Sequence, residues 1–298
     1  MIVLIIPKKW IFKVITFLFV LSVGILSLVG CAYKKCAFVF GVFDAKEGVL
    51  IATSNGLYRD IPGKVRRLIA PGVILDVIEV GDVIYYLTPK GIKAYDEVTG
   101  REKVVMQIDD YPRFISFSND SFKVVMQSGE VRVYKEGKII SRVEVGFPNG
   151  ISLNHGLLFT DRGVFCLKSM KFLEKGNFQA MIEGDVEQLD ETLASNFKET
   201  SKVKWYLVSW TLKIELDGLR KEVTLPGFSA EKFNFLASRG DAVYLGNSRG
   251  LYKYVPSLYY AVRFTKADGL PANTITCLYK TKYGLLVGTS CGWIYWWR

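Results

Sequence analysis

The sequence predicts an all-β fold, a β-propeller of seven blades, and three observations predict it. A unit of apolar strand, tight turn and apolar strand recurs about every forty residues, a period typical of strand-built repeat folds. The strands of the unit are apolar at successive positions, as in Val49-Leu50-Ile51-Ala52 and Val83-Ile84-Tyr85-Tyr86-Leu87. Such strands are covered on both faces, whereas a half-exposed strand alternates. Third, the chain carries almost no helical periodicity, so the crossover helices of a parallel sheet have no source.

The elements follow in order from the N-terminus. Lys8, Lys9 and Lys13 precede an uncharged run of 17 residues, 14–30, which ends in Leu28-Val29-Gly30-Cys31. The run is short for a spanning helix and long for the apolar part of a signal peptide. Its ending resembles the lipobox of bacterial lipoproteins, which implies cleavage before Cys31, lipidation of that cysteine and a short tether over 31–36. The alternative is an uncleaved N-terminal transmembrane anchor. Either way residues 37–298 form a single domain outside the cytoplasm, anchored to the outer face of a bacterial membrane on the periplasmic or cell-surface side.

Seven hairpins follow, with first strands beginning near Val49, Val83, Phe122, Leu157, Val203, Ala242 and Leu285. Six or eight blades remain compatible with this spacing of about 39 residues. Six of the turns carry glycine, which supplies the positive φ that tight hairpins need. Thr53, Thr88, Gln127, Thr160, Asn247 and Thr289 stand just before these turns, where a hydroxyl or amide can bind loose backbone groups. The fifth turn, Ser209-Trp210-Thr211-Leu212, lacks glycine. Before it, Val186, Leu189, Leu193 and Phe197 fall at helical spacing behind a capping pair, Asp185 and Gln188, predicting a short acidic surface helix over 185–198. The chain ends in Trp293-Ile294-Tyr295-Trp296-Trp297-Arg298, a third strand, so the last blade is expected to have three strands with its tryptophans buried against a neighbouring blade.

Composition narrows the function. The net charge is +10, and removal of residues 1–30 takes away three lysines and no acid, leaving +7. Export argues against a nucleic-acid partner, and the basic surface suits anionic lipid headgroups or an acidic partner. Beyond Cys31 the cysteines are Cys36, Cys166, Cys277 and Cys291, which allow three connectivities for two disulfides in an oxidising compartment. Cys277 and Cys291 flank one hairpin out of register and are left unpaired. No Cys-x-x-Cys pair occurs and His155 is the sole histidine, so neither a metal nor a cofactor is expected.

The segment Asp268-Gly269-Leu270-Pro271-Ala272-Asn273-Thr274-Ile275, followed by the hairpin 284–294, resembles the repeat of the two-component regulator propellers. The resemblance covers the last unit, and its hairpin half recurs near Thr53 and Asn247. Leu286 stands where that repeat carries tryptophan. The resemblance implies a propeller on the outer side of a membrane, as in bacterial sensor proteins.

Two classes of function follow. In the first, the chain is a non-enzymatic envelope lipoprotein whose propeller binds a ligand or a partner protein, sensor-like or as a scaffold. Its candidate binding residues are those of one rim, Asn55, Lys90, Arg162 and Arg249, a collar suited to an anionic ligand or an acidic envelope protein. In the second, the propeller is a lyase or hydrolase with an active site in its funnel. With a lone histidine and no recurring pair of carboxylates at the rim, no catalytic residue is assigned.

Overall fold

All seven hairpins form in the computed structural model, which describes residues 36–152, 154–184, 203–216 and 219–296. Their first strands begin at Val49, Ser121, Leu157, Ala242 and the other expected positions, within one residue in each case. Each hairpin supplies the second and third strands of an antiparallel sheet with strands in sequential order. Blades 1 to 7 comprise residues 39–71, 76–107, 112–144, 148–175, 178–222, 235–264 and 275–296. Six have four strands, and blade 7 has three, Ile275–Thr281, Gly284–Thr289 and Gly292–Trp296. The expected helix over 185–198 and the lipidation site Cys31 lie outside the described residues.

The continuous apolar runs have a simple cause. Within Val49–Thr53, Val49 and Ile51 pack into a cluster with Cys277, Leu286 and Trp293 of blade 7. Leu50 and Ala52, pointing the other way, pack with Val77, Ile84 and Tyr86 of blade 2. The same division repeats around the ring, and seven apolar clusters each span two consecutive blades. Full burial of one such aliphatic side chain contributes about 1.5–3 kcal/mol. The ring therefore closes by side-chain packing between blades 7 and 1. Trp293 joins the blade 1 cluster, and Trp296 packs with Leu251 and Val255 of blade 6.

The recurrent turn chemistry is present, with two refinements. Thr53, Thr88, Thr160 and Thr289 each donate Oγ1 to the carbonyl three residues on, at 2.7–3.0 Å. Asn247 accepts from the Arg249 N–H at 2.8 Å, whereas Gln127 turns away and accepts from Arg113. The glycine that opens the third strand answers a second constraint besides φ. A Cβ on Gly91 would lie 2.1 Å from the Met106 carbonyl of the fourth strand, and one on Gly250 2.3 Å from that of Phe264. Gly56 has no positive φ, but its Cβ would stand 3.0 Å from the Ala70 carbonyl. In blade 7, with no fourth strand, Gly292 faces open space. The fifth turn manages without glycine by placing Ser209 (φ 51°) and Trp210 (φ 63°) in the left-handed region.

Asp268 and Gly269 belong to the connector between blades 6 and 7. Asp268 accepts from the Thr265 N–H and Oγ1, Gly269 takes φ 105°, and Leu270 is buried. The motif thus acts as a cap and an apolar anchor. Cys36 and Cys291 are each disulfide-bonded, which corrects the expectation for Cys291; Cys166 and Cys277 are free. Cys277 lies opposite Gly288 in the sheet, in keeping with its not pairing with Cys291. The Gly292 N–H donates to the Ala37 carbonyl at 2.7 Å, so the backbone that opens the unit Ala37–Arg298 is held to the last turn.

Candidate functional site: the central channel

The first strands of the blades run side by side around the axis, and residues at their starts, and along most of their length in blades 5 to 7, line a channel of about 750 Å³. That volume falls within the range of small-molecule sites. The residue just before each first strand stands at the same end as the turns between second and third strands, and four of the seven, Phe38, Leu75, Asn234 and Thr274, line the channel mouth. In five blades main-chain bonds fix it there. Phe38, Tyr111, Phe147, Asn177 and Thr274 each offer their carbonyl to an N–H of that turn, at 2.8–3.2 Å. The other two, Leu75 and Asn234, instead donate their own N–H to Leu87 and Gly246. Blades 1 to 4 present Phe38, Leu75, Tyr111 and Phe147, and blades 5 to 7 present Asn177, Asn234 and Thr274. Tyr111 is 80% exposed and Phe147 62%.

Below the mouth, Phe40, Phe114, Phe159, Phe235 and Leu278 make the wall largely apolar, with amides from Gln127, Asn149, Gln179 and Asn234. Asn149 donates to Asn177 Oδ1 (3.1 Å) and the Phe178 carbonyl (2.7 Å), while Gln179 donates to Asn177 Oδ1 (2.7 Å) and accepts from the Trp210 N–H (2.9 Å). This bonding fixes both amides, as buried polar groups require. Thr276, another lining residue, keeps a buried Oγ1 with no hydrogen-bond partner. Burial pushes the Tyr279 phenol well above its ordinary pKa, with Cys277 and Asp76 adding to the effect. Two cations, Arg113 and Lys280, and no carboxylate stand among the lining residues.

His155 lies two residues before the strand Leu157–Thr160 and is buried. It is 2% exposed, and its Nε2 lies 2.9 Å from Asp76 Oδ1. Asp76 Oδ2 accepts the Ile115 N–H (2.9 Å), Ser116 Oγ donates to the His155 carbonyl (2.7 Å), and Phe43 packs its ring at 5.5 Å. One histidine thereby ties blades 1 to 4 together. Its neighbours Leu75 and Ser152 line the channel, but His155 and Asp76 do not.

None of the four candidate rim residues lines the channel. Asn55 is half-buried and bonded within its turn, accepting from Thr53 Oγ1 (2.8 Å) and Tyr58 OH (3.3 Å). Lys90 and Arg162 are exposed on their turns. Arg249 pairs with Glu231 at 3.0 Å and borders a separate groove of about 370 Å³ with Trp210, Lys232 and Asn247. Sequence reasoning missed Arg113 and the four amides. Their signal was positional: each lies at or just before the start of a first strand, or at a turn-facing end of a second strand.

No protein-family model and no curated protein matches the chain. Solved structures are similar. The extracellular domain of the one-component system BT4673 from B. thetaiotaomicron is 15% identical, with a TM-score of 0.61 over 88% of this chain and 38% of that one. The extracellular domain described as that of the hybrid two-component system BT4673 gives 0.60 at the same identity and coverage. The chain thus spans under two fifths of the length of these relatives. The WD40 β-propeller domain of Doa1 is 10% identical, with a TM-score of 0.54 over 86% of this chain and 91% of that one. At such identities the likeness establishes the propeller fold. Among the described residues no helix is long and apolar enough to cross a membrane.

Proposed function

We propose that the chain is an exported, lipid-anchored propeller of the bacterial envelope, without catalytic activity, that binds a small molecule in its central channel. The observation that carries this reading is the channel wall: a cavity of about 750 Å³, apolar and aromatic, with amides at its edge. Apolar concavity with a few convergent polar groups is the usual composition of a ligand site. The lysine-flanked uncharged run ending at Cys31 supports export and lipidation, and the fold likeness to the extracellular domain of a one-component system is in keeping with export. A non-catalytic role is favoured because the one histidine is buried and bonded to Asp76. Among the described residues no three His, Cys, Asp or Glu side chains gather as a metal site would need.

The test has two arms. Native mass spectrometry of the chain isolated with its membranes is expected to show a bound small molecule, lost when Phe235→Trp fills the channel. Fractionation of Cys31→Ser is expected to move the protein out of the membrane fraction, and its retention there would favour an uncleaved helix. One observation supports a second reading. Tyr111 and Phe147 stand exposed just before the first strands of adjacent blades 3 and 4, as residues covered by a partner protein would. A stoichiometric protein recovered by crosslinking in membranes, with no small molecule bound, would select that reading.

A further inference from the structure

Arg113 is the second residue of the first strand of blade 3, Pro112–Ser118, and lines the channel. Its guanidinium lies over the Phe114 ring, 5.3 Å from the centroid. Its one hydrogen bond to a side chain is a long one, Nη1 to Gln127 Oε1 at 3.5 Å. Among the described residues no carboxylate comes within ion-pairing distance of it. Arg59, Arg132, Arg220 and Arg249, by contrast, each hold at least one. Asp110, close in sequence, is engaged by Arg132 at 2.6 Å. Burial lowers the Arg113 pKa from its ordinary value, yet an arginine side chain stays cationic in proteins.

A half-buried cation with no counter-ion among the described residues, in an apolar wall, is an expensive arrangement. Those four arginines show that this fold can supply a carboxylate where one is needed. Here the missing partner is best supplied from outside. The fork of a guanidinium matches a carboxylate in two parallel hydrogen bonds, which fixes orientation as well as charge. A dianionic phosphate held by Arg113 alone would keep one charge unmet beside Phe114.

We propose that the channel takes a small carboxylic acid as its anion, the carboxylate on the Arg113 guanidinium and an apolar body along the aromatic wall. This rests on the small-ligand reading above and names the ligand's class. It also moves the anion-binding role from the rim residues Lys90, Arg162 and Arg249 to a residue inside.

The experiment is calorimetric titration of the full chain in phospholipid nanodiscs with three matched pairs: phenylacetate, 1-naphthaleneacetate and decanoate, each beside its neutral amide. A charge-assisted pair predicts that at least one acid binds roughly 10- to 100-fold tighter than its amide. Arg113→Gln is expected to erase that preference while the amide's affinity holds, Arg113→Lys to keep part of it, and Lys90→Gln, at a turn outside the channel, to leave it intact. Unchanged amide binding also shows that the Arg113→Gln channel is folded. Equal affinity for acid and amide in the parent chain, or a preference that survives Arg113→Gln, overturns the proposal and leaves the small-ligand reading standing. Failure of all six probes to bind the folded chain overturns both.

Discussion

Where blade 1 meets blade 2, Arg59 reaches Glu79 at 3.0 Å and Glu97 at 2.7 Å, and also donates to the Glu47 carbonyl. Where the same blade meets blade 7 on its other side, the contact is aromatic. Trp293 Nε1 donates to Asp60 Oδ2 at 2.5 Å, and Arg66 lies 4.5 Å over the indole while pairing with Asp60 at 3.3 Å. Tyr283 OH accepts the Gly48 N–H, and Lys282 caps the carbonyls of Ala45 and Lys46. The first seam lies between two four-stranded blades, the second beside the three-stranded one. The difference teaches that large side chains can lock a seam whose last blade has no outer strand, because they bury apolar area and satisfy polar groups of the neighbour at once.

The largest effect should come from the aromatic seam. Trp293→Ala removes a buried ring and one partner of the 6%-exposed Asp60 carboxylate, and is expected to cost about 4 kcal/mol. Chemical denaturation measures this; a loss below 1 kcal/mol would mean the seam is held elsewhere. At the ionic seam Arg59→Met leaves Glu79, 5% exposed, without its cation, and should cost about 3 kcal/mol. Adding Glu79→Gln should recover part of that loss, since a neutral amide tolerates burial better; no recovery would show that Arg59 acts through packing alone.

A smaller contrast separates the blades themselves. Gly91→Ala drives a Cβ against a carbonyl and should destabilise by about 2 kcal/mol, while Gly292→Ala, in open space, pays only for its positive φ, about 1 kcal/mol. Equal losses would mean that backbone conformation, not the fourth strand, sets the requirement. The subtlest probe is alkylation. Burial pushes the Cys277 thiol up to about 12, inside the seam cluster. At Cys166 burial also acts upward, but hydrogen bonds from Ser169 and Lys168 bring that thiol below its ordinary value. At pH 8 Cys166 should label quickly and Cys277 only as fast as the whole ring unfolds. Faster labelling of Cys277 would reveal that the aromatic seam opens by itself.

The ring was legible because interblade packing writes itself into sequence. Val49 and Leu50 face different neighbours, and both must be apolar whichever way they point. The three-stranded last blade was legible from its position alone. The channel was not. First strands face a cavity, so Arg113, Asn149 and Gln179 leave neither a continuous nor an alternating pattern. Charged turn residues such as Lys90 and Arg162 drew notice because they stand out on a repeated motif, although charge at a turn reports solvent as readily as a ligand. The buried His155–Asp76 pair joins residues 79 positions apart and has no local signature at all. The disulfide-bonded state of Cys291 was hidden for the same reason, since spacing along one hairpin carries no information about a partner far away in the chain.

The mouth of the channel has one more implication. The seven positions just before the first strands are pinned through main-chain groups, so the identity of the side chain is not what secures the backbone there. Phe38 or Thr274 could be exchanged with little penalty to folding, and each exchange would alter what the opening admits. Selectivity in such a molecule can drift one position at a time while the scaffold beneath stays still.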